Sequence, residues 1–301
     1  MNRTACLTLL VLTSALSACG DGGSGGVSST PPPPTYTYTK VADMTGDRTF
    51  RTGGIQYTVG TTPNFTNAQT VAFGSGPQIS YTAATDTYTL TDSSGHTATF
   101  TPLNVVQNPT APPGQVQWQS TNGSTVERFA LSVPSANGVP LSYAVIGNWS
   151  TTTVQNSGTV RLGFGGAPTQ SGDMPRSGNA TYSTGIGGAL DQGGAYSLNA
   201  NSTATFSANF ASNTVSTSMT LVGVPSLLIG GGNVAFGTYT GTGTISGNAI
   251  AGTLTGGSMS GAFSGAFFGP QAAEFGSSWY LNGTIGGTSA NAVGSIYGIK
   301  Q

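Results

Sequence analysis

The stretch SGAFSGAFFGPQAAEFGSSWYLNG, residues 260–283, decides how the chain is read. Apolar and small side chains alternate on both sides of Gly269-Pro270, and Glu274 is the single charge. Two readings are open: a site built around a lone carboxylate, or a corner where one β-strand hands over to the next. Proline donates no backbone hydrogen bond, so Pro270 stops a strand. The QAAE at residues 271–274 is long enough for one helical turn. An extended run then restarts, with Phe275, Ser277, Trp279 and Leu281 on one face. At such a corner Glu274 offers an acceptor to backbone amides that lack one.

The same period of two extends outward from the corner. Ala180, Tyr182, Thr184 and Ile186 share a face, as do Ala204, Phe206, Ala208 and Phe210, with Thr205, Ser207 and Asn209 on the reverse. Val215, Thr217, Met219 and Leu221 follow, then Phe236 and Tyr239 leading into TGTGTISG. Further runs lie at residues 250–254, 259–267, 275–281 and 293–299. Roughly eight strands with no helix between them predict an antiparallel up-and-down β-barrel, because closure removes exposed edges. A membrane barrel turns an apolar band outward; here Thr, Ser and Asn take one face and small or aromatic residues the other, which predicts a soluble barrel. Its interior set, Phe206, Phe210, Phe236, Phe263, Phe267 and Trp279, reads either as plain core or as the lining of a small apolar cavity. Upstream, ISYTAATDTYTLTDSSGHTATF at residues 79–100 holds two short alternating runs, a turn at Ser93-Ser94-Gly95 and a third run.

Composition agrees with an all-β fold. Charged residues are 6% of the 301, against roughly 25% in ordinary globular proteins. Gly, Thr, Ser and Asn stand where strong helix formers usually do. With 37% hydrophobic residues the chain can bury a core, which excludes a disordered polymer. A formal charge of −1 gives no electrostatic basis for binding nucleic acid.

MNRTACLTLLVLTSALSAC, residues 1–19, has Arg3, an apolar run at 5–12 and small residues before Cys19. This is the layout of a secretory signal peptide, residues 1–18, too short to span a bilayer comfortably. LSAC at 16–19 resembles the bacterial lipobox, in which the cysteine is acylated and becomes the new N-terminus. The alternative is an ordinary residue after plain signal cleavage. Cys6 and Cys19 are the two cysteines, and Cys6 leaves with the signal, so Cys19 has no disulfide partner. Gly20, in place of Asp, implies sorting to the outer membrane by resemblance to the lipoprotein rule. Residues 20–35, GDGGSGGVSSTPPPPT, then form a flexible Gly/Ser tether with a stiff polyproline segment, reaching about 50 Å when extended.

The segment LSYAVIGNWSTTT…RLGFGGAPTQSGDMPRSGNATYSTGIGG, residues 141–188, resembles the junction of handle and barrel in the transferrin-binding protein B-like surface lipoproteins. The matching pieces are YAVIGNW, FGGAPT and MPRSGNATYSTG. The closing SGAFSGAFFGPQAAEFGSSWYL resembles that family's strand ending in G-x-F-[FY]-G-P, then A-x-E and a returning strand. The resemblance implies a β-rich handle at residues 36–167, an eight-stranded barrel at 168–301, and Glu274 as the pin of a corner. It also implies a cell-surface lipoprotein in the outer membrane that captures a protein or haem-like ligand and works with an outer-membrane transporter. A structural or adhesive surface protein is the other reading.

Chemistry-bearing residues are sparse. GGSGG at residues 22–26 matches G-x-S-x-G but lacks the flanking strand and helix of a nucleophile elbow. No spacing for zinc, calcium or nucleotide phosphates occurs, so no metal and no cofactor is expected. His96, the single histidine, reads as a solvent-exposed turn residue, with catalysis or haem ligation as the alternative. Glu127-Arg128 reads as a surface ion pair. The barrel half carries Asp173, Arg176, Asp191, Glu274 and Lys300, too scattered for acid–base work, so no enzyme is expected. Leu227, Leu228 and Ile229, in the Gly-rich loop of residues 223–233, are the candidate ligand-binding residues, as an exposed interface or as a flap over the barrel mouth.

Overall fold

The computed structural model describes residues 35–61, 64–108, 111, 114–226 and 231–301. From Tyr36 to Gln301 the chain forms one compact unit. Its strands begin with β1 (Arg48–Phe50), β2 (Gly53–Val59), β3 (Phe65–Val71), β4 (Gln78–Thr82), β5 (Thr87–Thr91) and β6 (Thr97–Phe100). β7 (Val116–Asn122), β8 (Thr125–Ser132), β9 (Ser135–Ala136), β10 (Val139–Pro140), β11 (Ala144–Thr153) and β12 (Gly158–Gly166) follow. β13 (Asn179–Asp191), β14 (Ala195–Leu198), β15 (Thr203–Asn209), β16 (Thr214–Pro225) and β17 (Val234–Ser246) open the second half. β18 (Ala249–Gly256), β19 (Met259–Phe268), β20 (Glu274–Ile285) and β21 (Thr288–Lys300) complete it.

The handle is two stacked antiparallel sheets, β1-β4-β5-β6 and β3-β2-β12-β11-β8-β7, with the small hairpin β10-β9 beside them. Phe50, Ile79, Leu90 and Phe100 from the smaller sheet meet Trp118, Phe129 and Trp149 from the larger one. Side chains alternate across a strand, so the larger sheet has a second apolar face. There Ile55, Tyr57 and Val160 pack with Val293 of β21, and Phe164 packs with Ala266 and Phe268 of β19. The six-stranded sheet is therefore the middle layer, between the four-stranded sheet and the barrel wall.

The barrel is one antiparallel sheet of nine strands that closes on itself through β13 and β21. β14 and β15 both lie between β13 and β16, one at each end, so nine strands occupy eight positions. The second strand of the expected eight is thus broken in two. Asn179 faces Asn209 while Ala189 faces Ser197, so the broken strand spends two residues more than β13 over the same length. The interruption is held by an Asx turn, with Asn201 N donating to Asn199 Oδ1 at 2.9 Å. Ser202 Oγ donates to Val222 O and accepts from Val222 N, which ties the break to β16.

Inside, Phe206 stacks on Phe275 with centroids 3.8 Å apart, and Tyr182 meets Phe275 edge-on at 5.1 Å. Outside, β17 presents Thr238, Thr240, Thr242 and Thr244 to solvent. Threonine's branched Cβ suits a pleated strand, and its hydroxyl is the opposite of the apolar band of a lipid-facing wall.

Candidate functional site

The corner after β19 has the expected form, with a 3-10 turn at Pro270–Ala272. Gly269 takes φ +70°, and a Cβ there would stand 2.4 Å from the Tyr143 ring, so the position admits only glycine. Gln271 and Ala272 also have positive φ, a strained conformation for non-glycine residues. Hydrogen bonds from several elements hold it: Tyr182 Oη donates to Ala272 O at 2.8 Å, and Thr169 Oγ1 donates to Gly269 O at 2.7 Å. Glu274 is 3% exposed and accepts from Ser142 N at 2.5 Å and Tyr143 N at 2.9 Å. Its carboxylate therefore pins the start of β11, a handle strand, to the barrel corner. Burial pushes its pKa up, against the lowering effect of the backbone amides of Ser142, Tyr143 and Ala144. The lone carboxylate is a structural clasp.

His96 is exposed beside its turn, as expected, with its side chain 40% accessible, and it is also held by specific contacts. Its ring lies parallel to Trp149, with centroids 5.5 Å apart and planes at 8°, and Nε2 is 2.8 Å from Glu127 Oε1. Glu127 Oε2 accepts from Trp149 Nε1 at 2.7 Å and Thr151 Oγ1 at 3.0 Å. Thr151 Oγ1 accepts from Arg161 Nη1 at 3.2 Å, and Arg161 Nη2 donates to Asp92 Oδ2 at 2.5 Å. Asp92 Oδ1 accepts from the backbone of His96 at 3.1 Å, which closes the ring. Arg161 also lies 4.4 Å from the Trp149 ring centre, a cation–π contact. Desolvation raises the Asp92 pKa, but the Ser94 hydroxyl, Arg161 and the amides of Ser94 and His96 outweigh it and hold the group below the usual carboxylate range.

This circuit joins the β5–β6 turn to the six-stranded sheet. It also corrects the reading of Glu127-Arg128 as a surface pair. Neighbours in a strand point to opposite faces, and Arg128 turns away to Gln119 Oε1 at 2.9 Å. The signal that finds the circuit is period-two placement: Glu127 and Phe129 share a face on β8, as do Trp149 and Thr151 on β11.

The six aromatic residues of the barrel interior are all buried in one apolar cluster. Trp279 Nε1 is buried with no hydrogen-bond partner. Among the described residues no group of three or more His, Cys, Asp or Glu is placed to hold a metal ion. Cys19, Leu227, Leu228 and Ile229 lie outside the described residues.

An antiparallel barrel of eight positions, filled by its own side chains and clasped to a layered β-handle, defines a handle-and-barrel lobe. Residues 174–300, the barrel, match the family model described as the C-lobe and N-lobe beta barrels of Tf-binding protein B. Among solved structures, the isotype 1 transferrin binding protein B of serogroup B Neisseria meningitidis is 16% identical, with a TM-score of 0.43. That match covers 86% of this chain and 44% of the other, so the chain spans less than half of that protein's length. The haemoglobin receptor HpuA of Kingella denitrificans is 14% identical, covering 91% of this chain and 92% of the other, with a TM-score of 0.39. The N-lobe domain of lactoferrin binding protein B of Moraxella bovis is 15% identical, covering 67% and 90%, with a TM-score of 0.34. Comparison with curated protein sequences finds no match.

Proposed function

We propose that this chain is a non-catalytic binding lipoprotein of the outer-membrane surface, which captures an iron-carrying protein or haem and hands it to an outer-membrane transporter. The observation that carries the reading is the match of residues 174–300 to the barrel family of Tf-binding protein B. The related structures are named for transferrin, haemoglobin and lactoferrin, and the proposal extends that class of cargo, a host iron carrier, to this chain. A filled barrel leaves capture to the outer surfaces and loops of the lobe. In this reading residues 1–18 are the signal, Cys19 bears the lipid, residues 20–35 are the tether, 36–167 the handle and 168–301 the barrel. Leu227, Leu228 and Ile229 are the candidate contact residues, because an apolar run in a Gly-rich loop between strands suits an interface.

The test is an unbiased capture experiment with residues 36–301, using conditioned host medium and detergent-solubilised envelope, with a visible absorption spectrum of the recovered protein. A specific carrier protein or a Soret band is expected. A colourless protein that retains nothing from either source overturns the capture reading in favour of a structural or adhesive surface protein.

A further inference from the structure

We propose that the handle holds a second, small-molecule site: a cavity of about 140 Å³ between its two sheets that takes a neutral single-ring compound bearing one hydrogen-bonding substituent. The site is separate from carrier capture, because its apolar walls lie between the two sheets of the handle, with the β3–β4 loop and the β5–β6 turn closing one side.

The walls are Ile79 and Leu90 from the four-stranded sheet and Phe129 and Trp149 from the six-stranded sheet. Gly147 of β11 lies between them. A Cβ there would stand 3.2 Å from Ile79 Cδ1 and 3.7 Å from Phe129, so the missing side chain keeps this space open. An apolar cavity of about 150 Å³ accommodates one benzene ring, which sets the ligand at a single ring.

Charge narrows the class. Asp92 and Arg161 line one end, but they pair with each other at 2.5 Å and their side chains are only 8% and 10% exposed. The lining therefore carries no net charge to receive an ion, and a charged ligand would shed its hydration without a counter-ion. A neutral polar group has partners. Arg161 Nε is buried with no acceptor, and buried donors are satisfied in the great majority of native sites. A ligand oxygen drawn to that edge of the guanidinium completes its set. Gln56 and Gln69 also line the cavity, and their side-chain carboxamides form no hydrogen bond among the described residues. Phenols and aromatic amides meet all of these requirements, whereas benzene meets only the apolar ones.

The test is solution NMR of the full chain with labelled isoleucine and leucine methyl groups, titrated with phenol, benzamide and benzene. Saturable shifts and intermolecular NOEs are expected at the Ile79 and Leu90 methyls, with phenol binding several-fold more tightly than benzene. Absence of contacts at those two residues, or shifts spread evenly over surface methyls, overturns the proposal on the wild-type protein alone. Gly147→Leu fills the cavity and is expected to weaken phenol at least tenfold. Unchanged phenol affinity in a folded Gly147→Leu chain overturns it as well.

Discussion

Replacing Glu274 by alanine tests whether the lone carboxylate is the clasp between handle and barrel. The substitution leaves the amides of Ser142 and Tyr143 without their acceptors. An orphaned amide costs about 1–3 kcal/mol, and water entering the space left by the side chain offsets part of this, so a loss of about 3 kcal/mol is expected. For a unit of this size each kcal/mol shifts Tm by roughly 2–4 °C, which gives a drop of roughly 6–12 °C by circular dichroism at pH 7. Glu274→Gln keeps one acceptor but turns a donor toward the other amide, so its Tm falls between the two. The pH dependence adds a sign. Burial raises the Glu274 pKa in the folded state, so the group's contribution is full below the ordinary carboxylate pKa and declines as pH rises through the raised value. The deficit of Glu274→Gln is therefore largest in acid and shrinks toward neutral pH. A Glu274→Ala protein that melts within 2 °C of wild type, roughly the effect of 1 kcal/mol or less, refutes the clasp.

Asp92 carries the opposite sign: its lowered pKa gives stability that is present above the ordinary carboxylate value and lost as pH falls through the folded one. Asp92→Asn is expected to flatten that part of an acid-unfolding curve, and an unchanged acid limb would exclude the circuit. Arg161→Met leaves Asp92 buried without its partner, which costs about 3–5 kcal/mol, read from the denaturant midpoint at constant m-value. Cys19→Ala is expected to abolish incorporation of a palmitate analogue; label retained in that variant would place the acyl chain elsewhere.

Much of the barrel was legible because a closed β-sheet writes its two faces into the chain with a period of two. Phe206, Ala208 and Phe210, and Val215 and Met219, were placed on the buried face by alternation alone, and all are buried. The corner was equally legible, since Gly269-Pro270 marks a break in any strand. Alternation does not record which strands pair, however, and so gave no sign that β14 and β15 share one position. Ala195–Leu198 is four residues long, too short to show a pattern of its own. The polar circuit was hidden for a different reason. His96 and Glu127 are 31 residues apart, and a hairpin in one sheet and the strand register in another bring them together. The adjacent Glu127-Arg128 pair was misread because adjacency in sequence was taken for adjacency in space, which a strand forbids.

Capture at the cell surface is measured most directly on intact cells. Cells expressing the wild-type chain or Cys19→Ala are incubated with fluorescent transferrin, lactoferrin, haemoglobin and haem, washed, and read by flow cytometry. Saturable labelling by one of these cargoes on wild-type cells, lost in Cys19→Ala cells at equal expression, is the predicted result. Wild-type cells that bind none of the four above the level of cells lacking the protein would contradict the account.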